Sequence, residues 1–270
     1  MASDFSLQPD RDRGTGFLLQ VGRTDQSYVD LDDPEWLEFD YIQRMADALE
    51  AFAPGREPIR VIHVGGAGMT LARYVAATRP RSPQIVLEPD EALTAYVREH
   101  LPLPQRSGIK VRGVDGRGGL AAMREDYADV VIVDAFDGAR VPADLTTAEA
   151  LSQAATVLVP GGMLMLNLTD RAPFDYLRRV LAGLRLAFPH VLLSAEPATF
   201  KGRRFGNVLV CASRVELPGE ALTTKAARSA FPYRVIAGQT VARTFAASTP
   251  YTDADSAMSP EPPGGKGFFD

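Results

Sequence analysis

Two aspartates three residues apart, Asp134 and Asp137, follow the apolar run Val131-Ile132-Val133 and precede Gly138 and Pro142. Such a run reads as a buried strand, and open α/β sheets bind ligands just beyond the carboxyl ends of their strands. Carboxylates placed there can hold a cationic amine and take its proton as it attacks. They can equally serve turn and capping chemistry, for which Asp137-Gly138 is well suited. A third acid, Glu88, ends the run Ile85-Val86-Leu87 and lies 23 positions after Gly65. Gly65, Gly66 and Gly68 interrupt a strand-like run, Ile59 to Val64, directly ahead of helix-forming residues. A strand that ends in glycines and opens a helix brings backbone N–H groups close to a ligand. An acid at that distance can accept from both hydroxyls of a ribose, so nucleoside binding is the first expectation. Glycines also serve tight turns and close helix–sheet packing. Asp115, in Val114-Asp115-Gly116, follows a third strand-like run. There it can accept from an adenine amino group, cap the next helix, or do both.

The elements that must position these groups alternate regularly. Strands are expected at 59–64, 84–88, 109–114, 129–133 and 163–168, with helices at 68–78, 90–100, 116–125, 146–157 and 173–187. That alternation means a parallel sheet covered on both faces. Strands at 190–195 and 206–212 lack an intervening helix and suggest one antiparallel strand at an edge. Upstream, 17–21 and 26–31 read as a hairpin outside the main sheet, and a helix is expected from 35 to 52. Gln26, Tyr28, Asp33 and Tyr41 could wall a pocket, although Tyr41 and Trp36 also fit helix-face packing. Asp170 sits at the same sheet edge as Asp134 and would add negative potential. His63 reads as a core histidine and Arg203-Arg204 as a solvent cap on a hairpin. The domain reading is 1–54 for the hairpin and first helix, 55–247 for the nucleoside-binding domain, and 248–270 for a tail. Residues 1–14 are expected to be loosely held. A helix is possible within 219–245. The Pro, Gly, Ser and Asp content of the tail points to flexibility; the alternative is that its acids fold back over the pocket mouth.

The chain has 270 residues, a formal charge of −5 and a single cysteine, Cys211. No disulfide framework or cysteine metal cluster is expected, and the three histidines lack ligand spacing. No basic stripe suggests non-specific nucleic-acid binding. The acidic N-terminus lacks a signal-peptide layout, and no run approaches the ~20 apolar residues of a membrane span. A cytoplasmic address is expected, without membrane or nucleic-acid partners.

With these segments in order, the chain resembles the polyamine aminopropyltransferases, the spermidine synthase family, and is most similar to divergent spermidine synthase-like members. The resemblance runs from about Gln26 to Ser213. It rests on the hairpin, Asp33 to Met45, Val64-Gly65-Gly66, the strand ending in Glu88, Val114-Asp115-Gly116, Val133-Asp134-Ala135-Phe136-Asp137 and Leu158-Val159-Pro160-Gly161-Gly162. It implies an α/β, methyltransferase-type Rossmann fold: a seven-stranded, mostly parallel sheet with one antiparallel strand, plus a small N-terminal β-hairpin. It also implies a homodimer that moves an aminopropyl group from decarboxylated S-adenosylmethionine to a small-molecule amine such as putrescine, with no metal required. By that resemblance Asp134 orients and deprotonates the amine, Asp137 lies in a gating loop, and Tyr41 completes the catalytic set. Glu88 would hold the ribose and Asp115 the adenine, with Gly65, Gly66, Gly68, Gly116 and Gln26 around the nucleoside. Three positions depart from the family. Its glycine motif, Gly-Gly-Gly-Asp-Gly-Gly, reads Gly65-Gly66-Ala67-Gly68-Met69 here, without the acid that helps hold the donor. Its Tyr-His-Glu reads Tyr41-Ile42-Gln43, and its Asp-Pro reads Asp137-Gly138. The alternatives are a methyltransferase that uses S-adenosylmethionine itself on a small molecule, and a catalytically weak nucleoside-binding protein of the same fold.

Overall fold

A computed structural model describes residues 5–245 and 248–263. Short β-branched runs with every side chain buried, such as Val61–Val64, form the middle of a sheet covered on both faces. In chain order the N-terminal strands are β1 (Phe5–Pro9), β2 (Gly16–Val21) and β3 (Thr24–Asp30), followed by helix α1 (Asp40–Phe52). Then come β4 (Val61–Val64), α2 (Thr70–Thr78), β5 (Gln84–Leu87), α3 (Glu91–His100), β6 (Ile109–Arg112) and α4 (Gly116–Ala121). The second half holds β7 (Ala128–Val133), α5 (Ala148–Val157), β8 (Leu158–Asp170), α6 (Asp175–Ala187), β9 (His190–Ala195), α7 (Pro197–Phe200) and β10 (Gly206–Ser213). It closes with α8 (Gly219–Ala226), β11 (Arg234–Ala237) and α9 (Gln239–Thr244).

The main sheet has the order β11-β9-β10-β8-β7-β4-β5-β6. Alternate residues of its strands feed two cores. Ile62, Val64, Val131 and Val133 pack with α5 and α6 on one face, through Leu151, Leu177, Leu181 and Leu184. Val61, Val130 and Ile132 pack with α1, α2 and α8 on the other, through Met45, Leu49, Val75 and Leu222. No helix among the described residues is long and apolar enough to cross a membrane.

Four expectations are corrected. The sheet has eight strands, because β11 pairs antiparallel with the outside of β9. The chain returning from β9 through the single turn of α7 places β10 in the slot between β9 and β8, antiparallel to both, so two strands are reversed rather than one, β10 inside the sheet and β11 at its edge. The N-terminal unit is a three-stranded sheet; β1 pairs with β2, Leu7 opposite Leu19, in a stretch read as loosely held. Phe5 and Leu7 are drawn in by an apolar cluster around Leu19, Val29, Met69 and Val97. Helix α1 also begins at Asp40 rather than near Glu35.

The tail differs most from its composition. Residues 248–263 carry little regular structure, yet Ser259 is fully buried and Tyr251 nearly so. Side-chain contacts fix what backbone ladders do not. The expectation for residues 264–270 lies outside the described residues.

Candidate active site

Register places the chemistry. Val64 of β4 stands opposite both Leu87 of β5 and Val133 of β7, all parallel. The next residues, Gly65, Glu88 and Asp134, therefore leave three adjacent strands at one level. The chain runs outward from β4 to β5 and β6 on one side and to β7 and β8 on the other, so a crevice opens between β4 and β7. It widens into a cavity of about 1050 Å³. Glu88, Asp115, Gly116 and Asp134 share this cavity with Gly65, Gly66, Gln26, Tyr41 and Asp137.

Gly65 sits at φ +93°, and a Cβ there would lie 2.3 Å from the backbone oxygen of Asp134. Only glycine lets the two loops touch. Gly65→Ala is expected to lower unfolding free energy by about 1–3 kcal/mol or more, read by urea denaturation. Beyond it the N–H groups of Gly66 and Ala67 donate to Glu88 Oε2 at 2.9 and 3.3 Å, and Asp90 N–H donates to Oε1 at 3.0 Å. Glu88 thus shapes the turn and faces the cavity with the same carboxylate. Gly68 does not line the cavity. Its N–H donates to Ser27 Oγ at 3.0 Å, and a Cβ would come within 2.7 Å of Ser27 Cβ, so it serves the close approach of β3. Asp115 caps α4, accepting from Gly118 N–H at 2.7 Å, while remaining exposed at the cavity wall.

Asp134 is half-buried where β7 ends. Burial pushes its carboxyl up to about 6, partly opposed by the hydrogen bond from Asn167. That bond runs from Asn167 Nδ2 to Oδ1 at 2.9 Å, and Asn207 Nδ2 in turn donates to Asn167 Oδ1 at 3.0 Å. Two amides on β8 and β10 thereby fix the carboxylate's orientation. Burial, with the fields of Asp134 and Asp40, holds the Tyr41 hydroxyl well above its usual range, so it stays a proton donor. Asp137 sits at an exposed tip closed by Asp137 N–H to Arg140 O at 2.9 Å, with Gly138 at φ +63°. A glycine suits this turn, because a side chain at that φ would be strained.

Asp170, Tyr28 and Asp33 lie away from the cavity. Asp170 is buried, accepts from Leu177 N–H at 2.8 Å at the start of α6, and does not line the cavity. Tyr28 donates to Asp10 at 2.7 Å and Asp33 pairs with Arg13 at 2.8 Å, both away from the cavity. His63 is buried, bonded to Gln84 at 2.9 Å and pushed down to about 4 by burial, so its ring is neutral. Arg204 is not a bare solvent cap; it pairs with Glu196 at 3.0 Å on the cavity wall. Sequence reasoning missed Asn167 and Asn207, whose signal was an amide inside an apolar strand. It also missed Glu38, Asp40, Asp144 and the buried Arg44, 3.4 Å from Asp40. Acids such as Glu38, Asp40, Asp90 and Asp144 outnumber the wall's arginines, Arg23, Arg44 and Arg204, so the cavity favours positive charge.

No family model matches the chain. It is 26% identical over 151 residues to the polyamine aminopropyltransferase of Chromobacterium violaceum, across 55% of this chain and 56% of that protein. It is 31% identical over 154 residues to the one from Halorhodospira halophila, across 56% and 54% respectively. The chain thus matches about half the length of these curated relatives. The crystal structure of a probable spermidine synthase from Corynebacterium glutamicum superposes with a TM-score of 0.87 at 29% identity, covering 93% of this chain and 94% of that one. Sheet order, glycine turn and cavity position define a methyltransferase-type α/β fold. Within it, sequence and structural likeness together support a spermidine synthase-like family member.

Proposed function

We propose that the protein transfers an aminopropyl group from decarboxylated S-adenosylmethionine to a polyamine-type amine, acting as a cytoplasmic homodimer. The observation that supports it is the single acid-rich cavity shared by the nucleoside-side carboxylates, Glu88 and Asp115, and by Asp134 with Tyr41. Glu88 accepts from the ribose hydroxyls and Asp115 from the adenine amino group. Gly65, Gly66, Gly116 and Gln26 close the nucleoside side. The amine nitrogen forms its bond to the donor carbon as the carbon–sulfur bond breaks, and methylthioadenosine leaves with the electron pair. The donor is already activated by its sulfonium charge, so the protein supplies alignment and an unprotonated amine. Asp134 takes the amine's proton, Asn167 keeps its carboxylate aimed, and Asp137 adds negative charge from the loop.

Asp134 is a base only when ionised. Its carboxyl sits near 6, so kcat/KM is expected to rise with pH through about 6 and to level off above it, for the part of the profile that Asp134 controls. A bound cation favours the carboxylate, which moves the kcat midpoint lower. Initial rates across the acid range at saturating and at trace amine test this; a kcat/KM flat through that window excludes Asp134 as the base.

Ala67 favours a second reading, methyl transfer from S-adenosylmethionine, because the turn offers no carboxylate to the donor's amine where the family motif carries one. Incubation of the purified protein with each donor and a set of amines separates the readings. Methylthioadenosine release supports aminopropyl transfer and S-adenosylhomocysteine supports methyl transfer. Release of neither product favours a catalytically weak nucleoside-binding protein of the same fold.

A further inference from the structure

Residues 248–263 are short of regular structure, but their polar groups are extensively engaged. Asp253 accepts from Thr147 Oγ1 at 2.7 Å and from Arg117 Nη2 at 2.9 Å, while its own N–H donates to Glu149 at 3.1 Å. Asp255 pairs with Arg179, whose guanidinium lies 3.9 Å from the centre of the Tyr251 ring. These contacts fasten the segment to the starts of α4 and α5 and to α6. It then reaches the loop after β7. Ser259 N–H donates to Val141 O at 3.2 Å, and Val141 N–H donates to Ser259 Oγ at 2.9 Å. Arg140 Nε donates to Ser259 O at 2.6 Å, and Ser259 Oγ shares a 2.9 Å bond with Thr169 Oγ1. Ser259 is completely buried, so these bonds are shielded from competing water.

The loop is held between two surfaces. Asp137, Gly138, Ala139 and Pro142 line the cavity, whereas Arg140 and Val141 bond to the C-terminal segment. No residue of 248–263 lines the cavity itself, so the segment is not the cover over the mouth that its acids suggested. It lies behind the wall.

We propose that residues 248–263 are a strap that holds the 137–142 loop in its closed position before any substrate binds, with Ser259 as the positioning residue. A loop ordered in advance spares the acceptor the entropy of ordering it. Asp137 then stands in place when the amine arrives; this last step rests on the aminopropyl-transfer reading, whereas the strap itself does not.

The test uses the full-length chain carrying Ser259→Ala, which removes the acceptor for a buried N–H with little change in volume, beside a chain ending at Phe245. Amide hydrogen exchange is measured without ligands. Ser259→Ala is expected to speed exchange across 137–142 about tenfold while β4 and β7 keep wild-type protection. In turnover with decarboxylated S-adenosylmethionine and putrescine, it is expected to raise the amine KM about tenfold with kcat little changed. The shortened chain, if folded, should show both effects more strongly; if it does not fold, Ser259→Ala alone decides. Unchanged exchange at 137–142 in Ser259→Ala overturns the strap. Faster exchange in a protein that, even as wild type, turns over no donor keeps the strap and removes the enzymatic reading.

Discussion

Asp134→Asn is expected to slow transfer to the amine by about 10²–10⁴-fold, the range for loss of a general base, while nucleoside affinity stays within about twofold. The substitution is nearly isosteric, and Asn167 can still donate to the remaining carbonyl oxygen. What disappears is the capacity to take a proton and to hold a cation. Stability should move the other way. The folded carboxyl sits near 6 against an ordinary value of 3.8, so the folded state binds the extra proton and unfolding free energy falls as pH rises between those values. Above that window the wild type carries a partly desolvated charge that asparagine lacks. The variant should therefore be as stable as the wild type near neutrality, or more stable by on the order of 1–3 kcal/mol. A large rate loss in a protein that melts no earlier points to chemistry rather than damage. A loss smaller than tenfold means the proton goes elsewhere.

Glu88→Gln is expected to weaken nucleoside binding about 10–100-fold, read by calorimetric titration with methylthioadenosine. Two effects add. The Gly66 and Ala67 N–H groups converge on Oε2, and an amide has only one oxygen to satisfy both them and the N–H of Asp90. The ribose also loses a charged acceptor. Asp134→Asn is the matched control, since it alters a carboxylate of the same cavity on the side proposed to hold the amine. Unchanged affinity in Glu88→Gln would mean that the nucleoside does not use this wall.

The middle of the fold was readable because its strands are short β-branched runs and its helices have apolar faces, as in Leu177, Val180, Leu181 and Leu184. The acids at the strand ends were readable for the same reason: once β4, β5 and β7 are parallel neighbours, Gly65, Glu88 and Asp134 must converge. Pairing between distant strands was not readable. Asn207 reaches Asn167 only because β10 inserts between β9 and β8, and nothing local in Gly206–Ser213 announces that position. Gly68 was assigned to the ligand because a glycine motif looks alike whether a phosphate, a ribose or a serine side chain comes close. The tail was misjudged because composition describes the average segment. Ser259, Asp253 and Asp255 succeed through specific partners on α4, α5, α6 and the loop.

The two outermost strands of the main sheet, β6 and β11, are four residues each. Each carries exposed cations, Lys110 and Arg112 on one and Arg234 on the other. Brevity and positive charge discourage another polypeptide from extending the sheet, because the newcomer gains few ladder bonds and meets repulsion from its own basic residues. Self-association through a continuous intermolecular sheet is thus disfavoured, which leaves surfaces other than the edges of the main sheet for any contact between copies.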